Sequence, residues 1–170
     1  MELPTLEQSK EKKLIEASDI SVDPESNLAV VVIKPYALKN KNLIIQRLKD
    51  SGLYIAQTVT RQLPENFVIG TMFENTPQKG LQKEVLKRSA YGPSVILEVK
   101  GDDLLKKLFL LTGENTDPNK CSEESIRYLF GEHTAIKTDD GDFYPNAIHR
   151  PKNENEKERI EDLENFRHIR

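Results

Sequence analysis

"LAVVVIKP", residues 28–35, decides how this chain is read. Its first six residues are all apolar, and four of them, Val30 to Ile33, are β-branched. A run of that length and chemistry reads as a strand buried on both faces. Lys34-Pro35 ends it abruptly.

Outward from this strand the pattern alternates between two periods. After a polar turn, "NLIIQRLKDSG" (42–52) places Leu43, Ile44 and Leu48 at helical spacing, and Gly52 stops the helix. "LYIAQTVTRQL" (53–63) alternates as a second strand, and residues 64–90 turn helical with a break near Thr76-Pro77. Gly92-Pro93 is a turn, and "SVILEVK" (94–100) is a third strand. Asp102 or Asp103 is positioned to cap the next helix, whose apolar side is Leu104, Leu108 and Leu111. "TGENTDPNK" is a loop, and "SEESIRYLFG" is a short helix ending at Gly131. The polar stretch 132–142 is long for a compact domain and reads as a functional or mobile loop. "NAIH" (146–149) is a short fourth strand. The tail "NENEKERIEDLENF" is helical, with Ile160, Leu163 and Phe166 on one side.

Stripped of extra helices, this order is the split βαββαβ arrangement of an α+β, ferredoxin-like domain: an antiparallel sheet with helices on one face. It accounts for residues 28–170, and residues 1–27, polar and carrying Pro4 and Pro24, form an extension. No internal repeat is present.

Composition narrows the function. The chain has 170 residues, 36% of them apolar and 31% charged, which is enough for one domain with its own core. Its net charge of −3 provides no global basic field for nucleic acid, so no nucleic-acid partner is expected. Cys121 is the single cysteine, which excludes an intrachain disulfide and a cysteine zinc cluster. No apolar run reaches the length of a membrane span, and the N-terminus lacks the apolar core of a signal peptide. A cytoplasmic protein with no membrane partner is the expectation.

Four positions carry candidate chemistry. Lys34 ends the first strand, Thr116 and Arg127 flank the loop and short helix, and His149 closes the fourth strand. A ferredoxin-like sheet brings its first and last strands close, so two cations and an imidazole meet at one rim. Each residue has an ordinary explanation as well. Lys34 suits a solvated strand end, Thr116 a turn cap, and Arg127 a helical salt bridge to Glu123 or Glu124. His133 and His168 receive no role.

Taken together these residues resemble the nucleoside diphosphate kinase family. Ile33-Lys34-Pro35 matches its opening I-K-P, and Gly92-Pro93 precedes the apolar strand as in the family. Thr116-Asp117-Pro118 and Ser125-Ile126-Arg127 match its T-[ND]-P and S-I-R motifs with the family's spacing. Asn146-Ala147-Ile148-His149 matches the N-x-x-H that opens the active-site motif. These motifs stand in order, and the resemblance covers roughly residues 28 to 166.

The resemblance implies ping-pong phosphoryl transfer between nucleoside tri- and diphosphates, with His149 becoming a phosphohistidine. It implies Lys34, Thr116, Arg127 and Asn146 as nucleotide-binding residues. Mg²⁺ would arrive with ATP, held by phosphate oxygens and water, with no protein metal ligand. It also implies a homo-oligomer. The residue types suit the chemistry: an imidazole with an unperturbed pKa near ~6.5 is a neutral nucleophile at physiological pH. Phosphoryl transfer is promoted chiefly by position and positive charge.

The departures from the family cluster around the histidine. In place of G-S-D-S stand Arg150, Pro151, Lys152 and Asn153. The glutamate that fixes the second imidazole nitrogen aligns best with Glu158, with Glu156 and Glu161 as alternatives. The tyrosine beside the lysine becomes Met72, and the base-stacking phenylalanine falls near Gly80-Leu81. The second phosphate-binding arginine lacks a clear match, with Lys106 or Lys107 as substitutes, and the stretch between Arg127 and Asn146 is longer. These losses leave a second expectation beside the kinase: a catalytically impaired nucleotide-binding or interaction module. Arg150 and Lys152 bring new positive charge that offsets part of the loss.

Overall fold

The structure, a computed structural model, describes residues 27–68, 86, 90–138, 141–152 and 155–169. Strand β1 is Leu28–Ile33, wholly buried as its composition demands. Pro35, with its φ preset and its N–H absent, opens a 3-10 segment, Pro35–Asn40, that leads into α1, Lys41–Asp50. Strand β2 is Tyr54–Gln62, followed by a single helical turn α2, Glu65–Phe67. Strand β3 is Pro93–Lys100 and helix α3 is Leu104–Thr112. A 3-10 turn, Pro118–Lys120, precedes α4, Ile126–Phe130. The short strands β4, Ile136–Thr138, and β5, Gly141–Phe143, come next. Strand β6, Ile148–His149, and helix α5, Glu156–His168, complete the chain.

The main sheet has the order β2-β3-β1-β6, antiparallel throughout, as a split βαββαβ fold requires. Alternation along β1 divides the core. Ala29, Val31 and Ile33 pack with Val95, Leu97, Val99, α1 residues Ile44 and Leu48, and α3 residues Leu104 and Leu108. Leu28, Val30 and Val32 face the other way, toward Leu163 and Phe166 of α5. Helices therefore cover both faces, where the sequence pattern suggested one. That second cover explains why β1 has no polar residue. In β2 a bulge between Ile55 and Gln57 shifts the register, so Ile55 joins the first cluster and Val59 the second. A single extra residue exchanges the faces of a strand.

Three local expectations are corrected. The polar stretch after Arg127 contains a two-stranded antiparallel ribbon, in which Ile136 pairs with Phe143 and Thr138 with Gly141. Gly141, at φ 133°, takes the left-handed turn, and Phe143 anchors the ribbon to the second core cluster. Three-residue strands are too short for alternation to be seen in sequence. Asp103 does precede α3, but its backbone is left-handed (φ 50°) and its side chain caps nothing.

The third correction concerns α5. Its buried face is Arg159, Asp162, Leu163 and Phe166, while Ile160 is 52% exposed. Arg159 sets this phase: its guanidinium donates to the Leu28 carbonyl (2.8 Å) and pairs with Glu156 (2.9 Å). Arg167 adds a bidentate bond to buried Glu98 on β3. Phe67 meets Phe166 edge-on, 5.0 Å between ring centres. We expect Ile160→Ala to change stability by less than about 0.5 kcal/mol, and Leu163→Ala to cost about 2 kcal/mol or more. Urea unfolding of the two variants checks this, and equal losses would contradict the helix phase.

The expected helices over 64–90 lie largely outside the described residues. No helix among the described residues is long and apolar enough to cross a membrane.

Candidate active site

The site forms where β1 and β6 lie side by side. Val32 pairs with His149 and Ile33 with Ile148, and the Lys34 N–H donates to the Ala147 carbonyl (3.0 Å). This register sends Ile148 to the α1–α3 face and His149 to the α5 face, tilted over the Phe166 ring (centroids 6.1 Å apart). Its Nε2–H donates to the Asp162 carboxylate, Oδ2, at 3.0 Å. The bond fixes the tautomer and leaves Nδ1 with its lone pair free. The His149 side chain is 11% exposed.

The imidazole's partner is thus Asp162, four residues beyond the Glu158 that alignment suggested. The buried face of α5 carries 159, 162, 163 and 166, an i, i+3, i+4, i+7 stripe. Reading the helix phase from Leu163 and Phe166 alone would have included Asp162. Glu158 stands close by, and burial raises its pKa, with His149 opposing the shift. His149, Glu158 and Asp162 each bring a ligand atom within 4.8 Å of the others. The hydrogen bond accounts for the approach of His149 and Asp162.

The other four predicted residues are linked to the same strand ends. Lys34, 4% exposed, donates to Asn146 Oδ1 (3.0 Å), and Asn146 Nδ2 donates to the Thr116 carbonyl (3.4 Å). Asn146, expected to bind sugar or phosphate oxygens, therefore ties Lys34 to the loop. The Thr116 side chain is exposed and caps nothing; Asn115 Oδ1 and Asp117 Oδ1 form the turn's side-chain bonds instead. Arg127 is buried, and its salt bridge to Glu123 or Glu124 is not made. It donates to the carbonyls of Gly113 (3.4 Å), Asn115 (3.2 Å) and Ile148 (3.2 Å), and its buried Nε–H has no partner. Ser125 positions it by capping α4 through the Tyr128 N–H.

Gly113 is obligatory here. Its φ is 118°, and a Cβ would stand 2.8 Å from Cys121 Sγ and 3.1 Å from Arg127 Cβ. His133, unassigned from sequence, fastens the following loop: its ring nitrogens lie 2.7 Å from Asn119 Oδ1 and 2.7 Å from the Tyr128 carbonyl.

Positive charge dominates the rim. Burial, and then the Arg127 charge, lower the Lys34 pKa to about 7. Burial, and then the Arg150 charge, lower Arg127 to about 9. The folded pKa of Lys34 lies below its unfolded value near 10.5, so the unfolded chain holds more protons between the two. Stability contributed by this group therefore rises as pH increases from about 7 toward 10.5. We expect thermal stability to climb from pH 6.5 to pH 9 in the wild type and to climb less in Lys34→Met. Identical slopes would contradict a buried, charge-strained lysine.

Met72, Gly80 and Leu81, the positions aligned with the family's aromatic groups, lie outside the described residues. Arg150, expected from the sequence to add positive charge beside the phosphate site, was given no partners there. It is buried within the rim, and strand alternation from Ile148 was the signal that could have shown it.

The ferredoxin-like sheet thus carries a carboxylate-held imidazole at the end of β6 and buried cations around the same strand ends. The chain belongs to the nucleoside diphosphate kinase family, whose model matches residues 27–163. Its enzyme class is accordingly that of a nucleotide-binding phosphotransferase. No curated protein sequence matches the chain significantly. Solved structures do match in fold. A halophilic nucleoside diphosphate kinase from Halobacterium salinarum in complex with CDP aligns with TM-score 0.68 at 20% identity, over 83% of this chain and 87% of that one. The Aquifex aeolicus nucleoside diphosphate kinase aligns with TM-score 0.66 at 20% identity, over 82% and 94%. That of Encephalitozoon cuniculi gives 0.66 at 20%, over 82% and 88%.

Proposed function

We propose that this chain passes the γ-phosphate of a nucleoside triphosphate to a nucleoside diphosphate through a phosphohistidine at His149. The observation that carries the reading is the bond from His149 Nε2–H to Asp162, which leaves Nδ1 as the nucleophile. In the first half-reaction the Nδ1 lone pair forms an N–P bond to the γ-phosphorus. The bond to the bridging oxygen breaks, and its electron pair leaves with the diphosphate. Asp162 stabilises the imidazolium so formed. In the second half-reaction a terminal oxygen of the acceptor diphosphate attacks, and the N–P pair returns to the ring. Both halves use the same atoms, so kinetics are ping-pong.

Lys34 and Arg127 supply positive charge to the transferring group, the Thr116 hydroxyl adds a donor, and Asn146 holds Lys34 in place. Mg²⁺ enters as part of the nucleotide, bound by phosphate oxygens and water. The catalytic unit is residues 28–170, with residues 1–27 as an extension, acting in the cytoplasm. Assembly as a homo-oligomer is supported by β2, a nine-residue edge strand with exposed Tyr54. The CDP complex of the halobacterial enzyme supports a diphosphate-binding role for the same fold.

Initial rates with ATP and GDP varied together test the reading: parallel double-reciprocal lines are expected, and intersecting lines contradict it. A phosphate near Lys34 also raises its pKa from about 7, so diphosphate binding takes up protons. Calorimetry of ADP binding at pH 8, in buffers of different ionisation enthalpy, should show between zero and one proton taken up. Proton release would contradict it. The impaired-module reading is favoured by Arg127, which spends three donors on backbone carbonyls. It predicts ADP binding in calorimetry without turnover.

A further inference from the structure

Arg150, the residue directly after His149, is 7% exposed yet bonds only neutral oxygens. Its Nε–H donates to Thr112 Oγ1 (2.8 Å), Nη2 to the Gly113 carbonyl (2.8 Å) and Nη1 to the Pro151 carbonyl (3.0 Å). Its guanidinium lies 5.1 Å from the centre of the Phe109 ring. Arg127 Nη1 donates to the same Gly113 carbonyl (3.4 Å). The two guanidinium groups are close enough that the charge of Arg150 depresses the Arg127 pKa.

This pairing is costly without an anion. Like charges placed together in a poorly solvated region repel. Each guanidinium has five N–H donors and uses three, so each has two left, among them the buried Nε–H of Arg127. Glu158 and Glu114 act on Arg150 electrostatically, but neither bonds it. Nothing among the described carboxylates neutralises the pair by contact. An anion with several acceptor oxygens would use the spare donors and relieve the repulsion, and a phosphate has that chemistry.

We infer that Arg150 is a second guanidinium of the phosphate site, held by Thr112 and Gly113 so that it and Arg127 bind consecutive phosphate groups of the nucleotide. The inference rests on the proposed phosphoryl-transfer reading and adds a residue to it. Thr112, whose hydroxyl also donates to the Leu108 carbonyl (2.5 Å), is then a positioning residue.

The test is calorimetry with ADP, AMP and inorganic pyrophosphate on wild type, Arg150→Lys and Arg150→Gln. Losing charged hydrogen bonds to phosphate weakens binding about ten- to a hundred-fold. We expect Arg150→Gln to lose that much ADP and pyrophosphate affinity while AMP affinity falls much less, and Arg150→Lys to recover part of it. A merely structural arginine would lower the affinity of all three ligands together, and that result overturns the assignment. So does unchanged ADP affinity in folded Arg150→Gln. Should Arg150→Gln not fold, Thr112→Val carries the test, since it frees Nε without removing charge. ADP binding then weakens several-fold, and unchanged binding overturns the assignment. Phosphorylation of wild-type His149 is scored separately. Its success alongside an insensitive Arg150→Gln removes this inference alone, and its failure removes the reading beneath it.

Discussion

His149→Ala should abolish phosphate transfer from ATP to GDP, with a loss of at least about 10⁴-fold in kcat. The size follows from the role. Removing a residue that orients or binds leaves the reaction path intact and lowers its rate. Removing the atom that forms the N–P bond removes the path. Nothing nearby replaces it: among the described histidines, His133 is held in the loop after α4 by Asn119 and the Tyr128 carbonyl, and His168 lies at the far end of α5. Binding should survive, because Lys34 is held by Asn146 and Arg127 by carbonyls, independently of the ring. The expected signature is a collapsed kcat with ADP affinity within a few-fold of wild type, checked by a coupled assay and calorimetry together.

Asp162→Asn should lower kcat by about 10²–10⁴-fold with little effect on KM. Two effects combine. The lost charge no longer stabilises the imidazolium that develops as Nδ1 attacks, a hydrogen bond of about 1.5–3 kcal/mol. The new amide can also turn its N–H₂ toward Nε2, which drives the ring proton to Nδ1 and blocks the nucleophile. Glu158→Gln should cost far less, because Glu158 does not bond the ring. A larger loss in Glu158→Gln than in Asp162→Asn would reverse this assignment.

The comparison of those two carboxylates shows what a sequence can and cannot carry. β1 and β3 were legible because every residue facing a core had to be apolar, and "LAVVVI" and "VILEV" have little else. β2 was legible by alternation, although its bulge at Ile55/Gln57 was not, since a bulge leaves the residue types unchanged. Lys34, Arg127, Asn146 and His149 were legible because they sit in short motifs fixed to element ends. The structure bonds Lys34 to Asn146 and Arg127 to the Ile148 carbonyl, next to His149 in the chain.

Asp162 was not legible from motif spacing. Its place depends on the rotation of α5, which is set by Arg159 reaching the Leu28 carbonyl and by Phe166 beneath the imidazole. Polar residues on the buried face disguised that phase, and exposed Ile160 imitated a different one. Arg150 was disguised in the same way. Its charge was expected beside the site, but its burial was not: it continues the inward side of Ile148 and finds Thr112 and Gly113 there. Both residues lie where the chain departs from its family, so alignment gave the least help where the chain's own geometry matters most.

The central claim is that His149 carries phosphate as a covalent intermediate. The direct measurement is incubation of the wild-type chain with γ-radiolabelled ATP and Mg²⁺ in the absence of acceptor. One phosphoryl group per chain should attach, labile in acid and stable in base, and leave as labelled GTP when GDP is added. His149→Ala should take up none. An unlabelled wild type, or label that persists in His149→Ala, would contradict the account.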